Sequence, residues 1–392
     1  MADFVVLATA DWDHPLWTNK QHTALSFVDA GHRVLYVESL GIRPPRIGGA
    51  DRTRILRRLR RMLQLPCRRS DNLWVWSPPV IPGSHSGVGM FINRFLLRFG
   101  LYVSIRLLKF QQPILWTYNP LTNLYLDLSL FSASVYHCVD RIQEQPGMPQ
   151  QLIQVNEQRL SSQVDVVFTT SPELEVTHRR WNPEVFLFGN VADHSHFSRA
   201  REELICPEPL LQFSRPRLVF MGAIDAYKLD LELLFKLACR NSQWSIVLIG
   251  PVGECDPSTD VTSLKACPNV HFVGPQAYEI LPSWLAHSDV ALLPLQINGY
   301  TRNMFPMKFF EYLSSGLPVV ATRIPALEAH DDVAWLCPPC VDEFERSIHA
   351  ALVGDGPSLP QRLARSQTQT YQTRSEAMLE ILQHRGLLAG KV

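Results

Sequence analysis

The segment MFPMKFFEYLSSGLPVVAT, residues 304–322, joins an amphipathic helical pattern to a short apolar run. Gly316 ends the helical pattern, because glycine is common just beyond a helix C-terminus. The run that follows, residues 317–321, is typical of a short buried strand. Alternation of helices with buried strands is typical of parallel sheets, so this segment predicts an α/β domain around it.

The start of this helix carries Lys308 and Glu311 three positions apart, so the two side chains share one helix face. The first turn of a helix presents unpaired N–H groups and the positive end of the helix dipole, which favour an anion. A carboxylate nearby is able to accept hydrogen bonds from sugar hydroxyls. A surface ion pair, which contributes little to stability, is the commoner explanation of such a spacing. The spacing alone leaves both interpretations open.

Apolar runs of strand length alternate with helical patterns along the rest of the chain. The first series has predicted strands at residues 4–8, 34–37, 73–76, 114–118, 135–139 and 164–169, and predicted helices at 19–30, 90–110, 150–162 and 172–181. The second series has predicted strands at 218–221, 246–249, 270–273, 290–293 and 318–321, and predicted helices at 229–240, 278–286 and 304–315. Two such series predict two Rossmann-like α/β domains with parallel sheets.

The polar stretch at residues 189–209 interrupts the alternation and marks the predicted join between the domains. The 392 residues are enough for two domains of ordinary size. We predict an N-terminal domain at 1–192, a C-terminal domain at 193–370, and a final helix at 371–392 that packs back on the first domain. Parallel sheets bind ligands at the carboxyl ends of their strands, so the two domains are expected to face an interdomain cleft.

The charge is balanced overall and uneven along the chain. Basic and acidic residues number 37 each, and residues 1–192 contain 20 basic against 15 acidic residues, a net charge of +5; the remainder has 17 against 22, a net charge of −5. A basic first half favours an anionic partner. The eight cysteines have no regular spacing, which suits a reducing cytoplasm. We expect Cys337 and Cys340 to be small residues near a strand end rather than a metal or redox pair.

Residues 51–69, DRTRILRRLRRMLQLPCRR, predict a helix with one apolar face and one cationic face that includes Arg57, Arg58, Arg60 and Arg61. Such a helix is typical of the interface of an anionic membrane. A solvated arginine-rich helix over an ordinary core is one alternative, and a nucleic-acid site is the other. We predict a membrane surface as the partner, and no nucleic acid.

Residues 90–110 form a very apolar segment that Arg94, Arg98, Arg106 and Lys109 interrupt. Spanning helices rarely carry so many cations, so this segment is predicted to lie against a bilayer or to cover the first sheet. The chain opens on an apolar strand pattern without a basic lead or a cleavage site. We therefore expect no signal peptide and a cytoplasmic protein that is peripheral on the inner face of the plasma membrane.

Four stretches together resemble bacterial glycosyltransferases of the GT-B fold, the glycosyl transferases group 1 type, and in particular the branch that makes teichuronic acid, capsular polysaccharides and exopolysaccharides. These stretches are residues 4–39, NVADHSHF (190–197), LVFMGAIDAYKLDLELL (218–234) and residues 269–322. The last stretch is the most specific. The resemblance implies an α/β protein of GT-B architecture, with two Rossmann-like parallel-sheet domains that face an interdomain cleft.

The resemblance also implies a donor site in the second domain. The helix that is predicted to begin near Met304 points its N-terminus at the donor diphosphate, and the glutamate that matches Glu311 accepts the ribose hydroxyls. Lys308 neutralises phosphate or orders the helix start. Lys228 matches a lysine that reaches the diphosphate.

Two further donor contacts are implied at strand ends. Gly222 matches the glycine that follows the first strand of the nucleotide-binding domain, and the backbone near Tyr278 meets the edge of the nucleobase. The chain departs from many relatives at two positions: Ala223 replaces an arginine, and Asn303 replaces the first of two glutamates eight residues apart. These departures leave the donor sugar and the stereochemical course of transfer open.

Glycosyl transfer has to stabilise a leaving nucleoside diphosphate and a cationic sugar, mainly by preorganised charge. The helix start, Lys228 and Lys308 are able to supply positive charge without a metal. We therefore expect no metal and no cofactor other than the nucleotide-diphosphate sugar as co-substrate. Asp11 and Asp13 form a DxD motif, which we interpret as acceptor-side carboxylates rather than as metal ligands.

An inverting reaction needs a carboxylate base for the acceptor hydroxyl, and Asp13 and Asp140, both just past predicted strands, are the candidates. A retaining reaction needs no side-chain base, because the leaving phosphate takes the proton. His22 is a candidate contact to the donor sugar, with a solvated or capped histidine as the alternative. Trp12 and Trp17 are candidates for stacking on an acceptor sugar, and core packing explains them at least as well.

The sequence thus predicts a glycosyltransferase that moves a sugar from a nucleotide-diphosphate sugar to a hydroxyl of a lipid-linked or polysaccharide acceptor. One alternative is a nucleotide-sugar epimerase or hydrolase on the same fold, which would release a free sugar without an acceptor. The other is a non-catalytic membrane-associated scaffold, which would bind neither uridine nor guanosine diphosphate.

Overall fold

The computed structural model describes residues 1–14, 17–42 and 65–388. The chain divides into two compact units, Met1–Phe188 with Arg374–Val392, and Gly189–Thr373. The division falls after Phe188, whereas the sequence predicted it after residue 192.

The predicted membrane-facing helix at residues 51–69 falls almost entirely outside the described residues. Arg57, Arg58, Arg60 and Arg61 are among the residues that are not described, so their role at a membrane stays a prediction.

A single parallel sheet with one antiparallel edge strand forms the centre of the first unit. Its strands are β1 (Asp3–Leu7), β2 (Arg33–Val37), β3 (Cys67–Ser70), β4 (Leu73–Trp76), β5 (Ile114–Thr117), β6 (Ala133–Cys138), β7 (Val166–Thr169) and β8 (Val185–Leu187). They lie in the order β3-β4-β2-β1-β5-β6-β7-β8, and only β3 and β4 pair antiparallel. Along β1, Phe4 and Val6 enter one apolar core while Val5 and Leu7 enter another, so the sheet is buried on both faces.

The described residues before Gly189 form the helices α1 (Asn19–Asp29), α2 (Gly87–Leu107), α3 (Thr122–Tyr125), α4 (Gln150–Gln163) and α5 (Pro172–Arg179). At the start of α1, Gln21 accepts a hydrogen bond from the backbone N–H of Thr18 at 3.1 Å. The same side chain donates from Nε2 to the carbonyl oxygen of Asp11 at 3.0 Å. This capping arrangement fixes the turn after β1 against the helix start.

Helix α2 has one face on the sheet, through Leu97 and Leu101 in the core. Among the described residues, it is the one helix whose length and composition are sufficient to cross a membrane. Only 22% of its most apolar 18-residue window is buried.

The second unit contains a six-stranded, fully parallel sheet. Its strands are β9 (Arg217–Met221), β10 (Ser245–Ile249), β11 (Val270–Gly274), β12 (Val290–Leu293), β13 (Val319–Thr322) and β14 (Trp335–Cys337), in the order β11-β10-β9-β12-β13-β14. Its helices are α6 (His194–Ser198), α7 (Leu231–Arg240), α8 (Thr262–Lys265), α9 (Leu281–Ala286), α10 (Lys308–Ser315), α11 (Val341–Val353) and α12 (Leu359–Gln367). The pattern of apolar residues did not predict β14, α6, α8, α11 and α12.

Helix α10 begins at Lys308, and not at Met304 as the sequence predicted. Pro306 explains the difference, because the residue before a proline is driven out of the helical region. Met304 is extended, with φ −109° and ψ 153°. The end was predicted correctly: Gly316 adopts φ +88° and caps the helix in the left-handed conformation.

The chain ends with helix α13 (Tyr371–His384). Met378, Leu379 and Leu382 on this helix belong to the same apolar core as Phe4 and Phe27. The helix therefore contributes to the first unit, although its first residues belong to the second.

Candidate donor and acceptor sites

Two glycines shape the carboxyl edge of the second sheet. Gly222 follows β9 with φ +146°, and Gly250 follows β10 with φ +142°. A Cβ atom on Gly250 would lie 2.0 Å from the carbonyl oxygen of Gly222. The backbones of the two loops thus approach each other at a distance that only glycine permits, which keeps the sheet edge open.

The start of α10 carries the Lys308–Glu311 pair. Lys308 Nζ lies 3.0 Å from Glu311 Oε1 and 2.8 Å from Oε2. The Glu311 side chain is only 5% exposed and that of Lys308 is 29% exposed. A Cβ atom on Gly222 would lie 3.9 Å from Lys308 Cε, so the lysine lies beside the loop after β9. This pair is therefore a partly buried feature of the sheet edge and not a solvated surface ion pair.

A buried carboxylate, which was not among the predicted site residues, holds Lys228 close to the same edge. Asp225 is wholly buried, and its Oδ1 accepts backbone N–H bonds from Cys255 and Asp256 at 3.1 Å each. Its Oδ2 lies 3.3 Å from Lys228 Nζ. The i,i+3 spacing within AIDAYK was the available signal for this pair.

The loop at residues 294–301 packs on the Lys228 loop through its backbone. Gln296 donates its N–H to the carbonyl oxygen of Lys228 at 2.9 Å, and Asn298 Nδ2 donates to the carbonyl oxygen of Tyr227 at 2.6 Å. Asn303 is buried and donates from Nδ2 to the carbonyl oxygen of Gly299 at 2.7 Å. Asn303 and the buried Met304 thus build the loop that precedes α10.

Side chains of the polar stretch at residues 190–197 contact Phe305, just before α10, and the ring of Tyr278. Asn190 Nδ2 donates to the carbonyl oxygen of Phe305 at 2.6 Å, just before α10. His196 stacks on the ring of Tyr278 at 4.0 Å, and the Tyr278 hydroxyl lies 3.4 Å from Asp193 Oδ2. Burial, and then the charges of Asp193 and Glu311, raise the pKa of Tyr278, so its hydroxyl stays a neutral donor.

The predicted acceptor-side carboxylates follow β1 and β6 in the first unit. Asp13 is exposed, and both of its oxygens lie 3.1 Å from Arg69 Nη2. Asp140 lies close enough to Lys20 for their charges to interact: burial lowers the pKa of Lys20 and Asp140 opposes the shift. Since only β5 separates β1 from β6, the ends of the two strands lie about 10 Å apart on one sheet edge.

The aromatic residues after β1 form a small cluster. Trp12 is buried in the core, 5.0 Å from the ring of Tyr36 and 5.2 Å from that of Trp17. Trp17 is half-buried, and its ring lies 5.5 Å from His22. Core packing therefore accounts for Trp12, and a stacking role for this residue is not supported. Trp17 and His22 remain partly accessible.

Comparisons with known proteins agree with the fold. Residues 215–353 match the family model of the glycosyl transferases group 1. In sequence, the chain is 24% identical over 318 residues to TuaH of Bacillus subtilis (strain 168), which is named for teichuronic acid biosynthesis as a glycosyltransferase; the match covers 71% of this chain and 79% of that protein.

Two solved structures are similar over nearly the whole chain. Sucrose-phosphate synthase (tll1590) from Thermosynechococcus elongatus has a TM-score of 0.69 at 16% identity, over 98% of this chain and 99% of that one. Anabaena Alr3699/HepE in complex with UDP-glucose has a TM-score of 0.64 at 13% identity, over 98% and 100%. These structures establish the fold, and together with the matched region and TuaH they confirm the prediction of a glycosyltransferase of GT-B architecture.

Proposed function

We propose that the chain transfers a sugar from a nucleoside-diphosphate sugar to a hydroxyl of a lipid-linked or polysaccharide acceptor at the inner face of the plasma membrane. The match to glycosyl transferases group 1 supports the reaction class. The solved relative with bound UDP-glucose supports the donor type, and TuaH supports a polysaccharide pathway. The proposal that the second unit binds the donor rests on the partly buried Lys308–Glu311 pair at the start of α10.

In this proposal the donor diphosphate lies against the first turn of α10. The first turn of a helix presents backbone N–H groups and the positive end of the helix dipole, which together favour a phosphate. Lys308 and Lys228 add two positive charges beside the same sheet edge. Charge placed in advance stabilises the diphosphate as it leaves, and this is the main catalytic contribution expected of the second unit.

Glu311 is proposed to bind the donor ribose. Its two oxygens lie on Lys308 in the described structure. A diphosphate attracts the lysine more strongly than a single carboxylate does, because it carries more charge. Binding therefore releases the glutamate oxygens to accept the two ribose hydroxyls.

The acceptor side is proposed to lie at the carboxyl edge of the first sheet. Asp13 or Asp140 is the base if the reaction inverts, and neither is required if the leaving phosphate takes the proton. His22 and Trp17 are proposed as contacts for the transferred sugar and the acceptor.

Membrane association is proposed to use α2 together with residues 51–69. Phe91, Phe95, Phe99 and Tyr102 recur along α2 at a spacing of three to four residues and are between 58% and 71% exposed. The sequence from Asn72 to Leu126 contains no acidic residue. An exposed aromatic face with arginines and no carboxylates suits the interface of an anionic bilayer.

A panel of nucleoside-diphosphate sugars tests the proposal through thermal unfolding of the purified chain. A donor at 100 times its Kd stabilises by about 2.7 kcal/mol, which raises Tm by several degrees. The stabilising donor is then incubated with and without lipid-linked glycan acceptors. Stabilisation by none of the uridine or guanosine donors would contradict the donor site, and release of free sugar without any acceptor would indicate a hydrolase.

A further inference from the structure

Three potential metal ligands meet inside the first unit, on three different elements. Cys138 ends β6, Glu157 lies on α4 and His178 lies on α5. All three are buried, and the thiol sulfur, one carboxylate oxygen and one ring nitrogen lie within 4.8 Å of one another. Thiolate, carboxylate and imidazole are the three ligand types that zinc binds in proteins.

The spacing of these atoms suits a tetrahedral ion. Cys138 Sγ lies 3.6 Å from Glu157 Oε1. With a Zn–S distance of ~2.3 Å and a Zn–O distance of ~2.0 Å, tetrahedral geometry separates the sulfur and the oxygen by about 3.5 Å. The thiol and the carboxylate are therefore already at the distance that a shared ion requires, and the imidazole nitrogen has to approach by at most about 1.5 Å.

One ring nitrogen of His178 is available to an ion. Its Nδ1 lies 2.7 Å from Ser161 Oγ, and its buried Nε2 has no hydrogen-bond partner among the described residues. Burial lowers the pKa of His178. A neutral ring that donates from Nδ1 to Ser161 presents the lone pair of Nε2, and metal-binding histidines are usually fixed by such a bond on the other nitrogen.

The carboxylate is oriented by two further side chains. The Tyr136 hydroxyl donates to Glu157 Oε1 at 2.6 Å, and Gln143 Nε2 donates to Oε2 at 3.2 Å. A hydrogen-bonded network without an ion explains these two contacts. It leaves the His178 nitrogen buried and unpaired, which costs about 1–3 kcal/mol. An ion that binds all three groups satisfies the nitrogen and balances the buried negative charge of Glu157.

We propose that Cys138, Glu157 and His178 bind one zinc ion, with a water molecule as the fourth ligand. The ion ties β6, α4 and α5 together, so its role is to stabilise the first unit. The inference does not depend on the proposed transfer reaction, because the residues proposed to bind the donor lie in the second unit.

Binding exchanges one proton for the metal. The zinc–sulfur bond forms as the Cys138 S–H bond breaks, the proton passes to solvent, and no electron is transferred. Burial, and then the charge of Glu157, raise the pKa of Cys138 well above its usual value, so the thiol is protonated at neutral pH.

The full-length chain, freed of metal by chelator, is the material for the test. Titration with zinc against a chromophoric chelator should give one equivalent per chain. X-ray absorption of the zinc-loaded chain should show one sulfur at ~2.3 Å with nitrogen and oxygen ligands at ~2.0–2.1 Å. A zinc coordination shell without sulfur, a coordination shell with two sulfurs, or weak zinc binding without a fixed stoichiometry would each overturn the proposal.

Variants identify the ligands. Replacement of the native metal by cobalt gives a thiolate-to-cobalt absorption, which should disappear in Cys138→Ser and weaken in His178→Gln. Cys337→Ser and His137→Gln are the matched controls, because Cys337 and His137 are also buried and lie outside the cluster. Persistence of the absorption in Cys138→Ser, or its loss in Cys337→Ser, would also contradict the assignment. If Cys138→Ser does not fold, the absorption spectrum of the unmodified chain decides the question.

Discussion

At the scale of single residues, the burial of Glu311 helps to distinguish two interpretations that its spacing from Lys308 leaves open. Three positions on a helix are compatible with a solvated ion pair or with a ligand site. The 5% exposure of the Glu311 side chain removes the first possibility, because a solvated pair leaves its carboxylate in water. A buried ion pair is weak evidence for a role in stability, so Glu311 is the position at which a ligand contact is best tested.

We expect Glu311→Ala to weaken binding of the stabilising nucleotide sugar by about 10- to 100-fold, since a hydrogen bond to a charged group contributes about 1.5–3 kcal/mol. Titration calorimetry measures the affinity, and Glu311→Gln, which keeps the shape and removes the charge, should show most of the loss. The control is Glu328→Gln, an exposed residue of the same unit. Unchanged affinity in Glu311→Ala would remove the ribose contact from this position.

Substitution of Gly250 tests whether the close approach of the loops that contain Gly222 and Gly250 matters for stability and nucleotide binding. A methyl group at this position would meet the Gly222 carbonyl oxygen at 2.0 Å, and the φ of +142° is already unfavourable for alanine. We expect Gly250→Ala to lower the free energy of unfolding by about 3 kcal/mol and to weaken nucleotide binding, because the loop that carries Gly222 has to move.

Gly354→Ala is the matched control for Gly250→Ala. Gly354 has a φ of +75°, and a Cβ atom there would meet nothing within 4 Å. The Gly354→Ala substitution should lower the free energy of unfolding by about 1 kcal/mol through backbone strain alone, and it should leave nucleotide binding unchanged. Equal effects of the two substitutions in denaturant unfolding would show that the contact with Gly222 is unimportant.

At the scale of elements, prediction succeeded wherever apolar pattern and burial coincide. The helix α7 buries Leu233, Leu234 and Leu237 at helical spacing, and its pattern was visible in the sequence. The strand β3 has the sequence CRRS and is fully exposed, so no apolar pattern predicts it. Its antiparallel pairing with β4 makes it a strand. The helix α10 starts four residues later than its apolar pattern indicates, because Pro306 keeps the preceding residue out of the helical region.

The exposed aromatic side chains of α2 allow a test of membrane binding within the described residues. We expect the triple variant Phe91→Ser, Phe95→Ser and Phe99→Ser to bind anionic vesicles at least 10-fold more weakly in flotation assays. Each phenylalanine side chain contributes about 1.5–3 kcal/mol when it leaves water, although only part of each ring would be buried in the interface. The fold should be preserved, because all three side chains are exposed.

The control for the aromatic face is a triple variant of the second unit, Ile205→Ser, Leu211→Ser and Val353→Ser. These residues are equally exposed and apolar, and their loss should not change vesicle binding. A parallel variant with Arg57, Arg58, Arg60 and Arg61 replaced by serine should weaken binding to anionic vesicles and leave binding to neutral ones nearly unchanged. Vesicle binding that survives both first-unit variants would exclude these segments as the membrane contact.

At the scale of the whole molecule, the two parallel sheets and the GT-B class were predictable, since alternating apolar runs determine sheet type. The helix α10 was predictable from its apolar pattern, whereas its assignment to the donor comes from a resemblance to a family and stays a prediction. The role of Asn190 was not, because its contact with Phe305 joins residues 115 positions apart. The Cys138–Glu157–His178 cluster was equally hidden, because its members lie on three elements without a metal-binding spacing.

The stability of the whole chain should depend on pH through His330. This half-buried ring packs against Phe309 and Phe310 at 5.5 and 5.3 Å, and Arg365 Nη1 lies 2.7 Å from its Nδ1. Burial, and then the charge of Arg365, lower the pKa of His330 to about 4. In the unfolded chain the pKa of histidine is about 6.5. The folded state therefore binds fewer protons than the unfolded state between these two values.

It follows that the contribution of His330 to stability is complete above about pH 6.5 and is lost as the pH falls toward 4. Between pH 7 and pH 5 the wild-type chain should lose about 2 kcal/mol from this group. The variant His330→Gln keeps an acceptor for Arg365 and cannot titrate, so denaturant unfolding at the two pH values should show a pH effect that is smaller by that amount. His384→Gln changes an exposed histidine of α13 and should leave the wild-type pH effect intact. Equal pH effects in wild type and His330→Gln would mean that the ring is protonated in the folded state and that its aromatic surroundings do not exclude the charge.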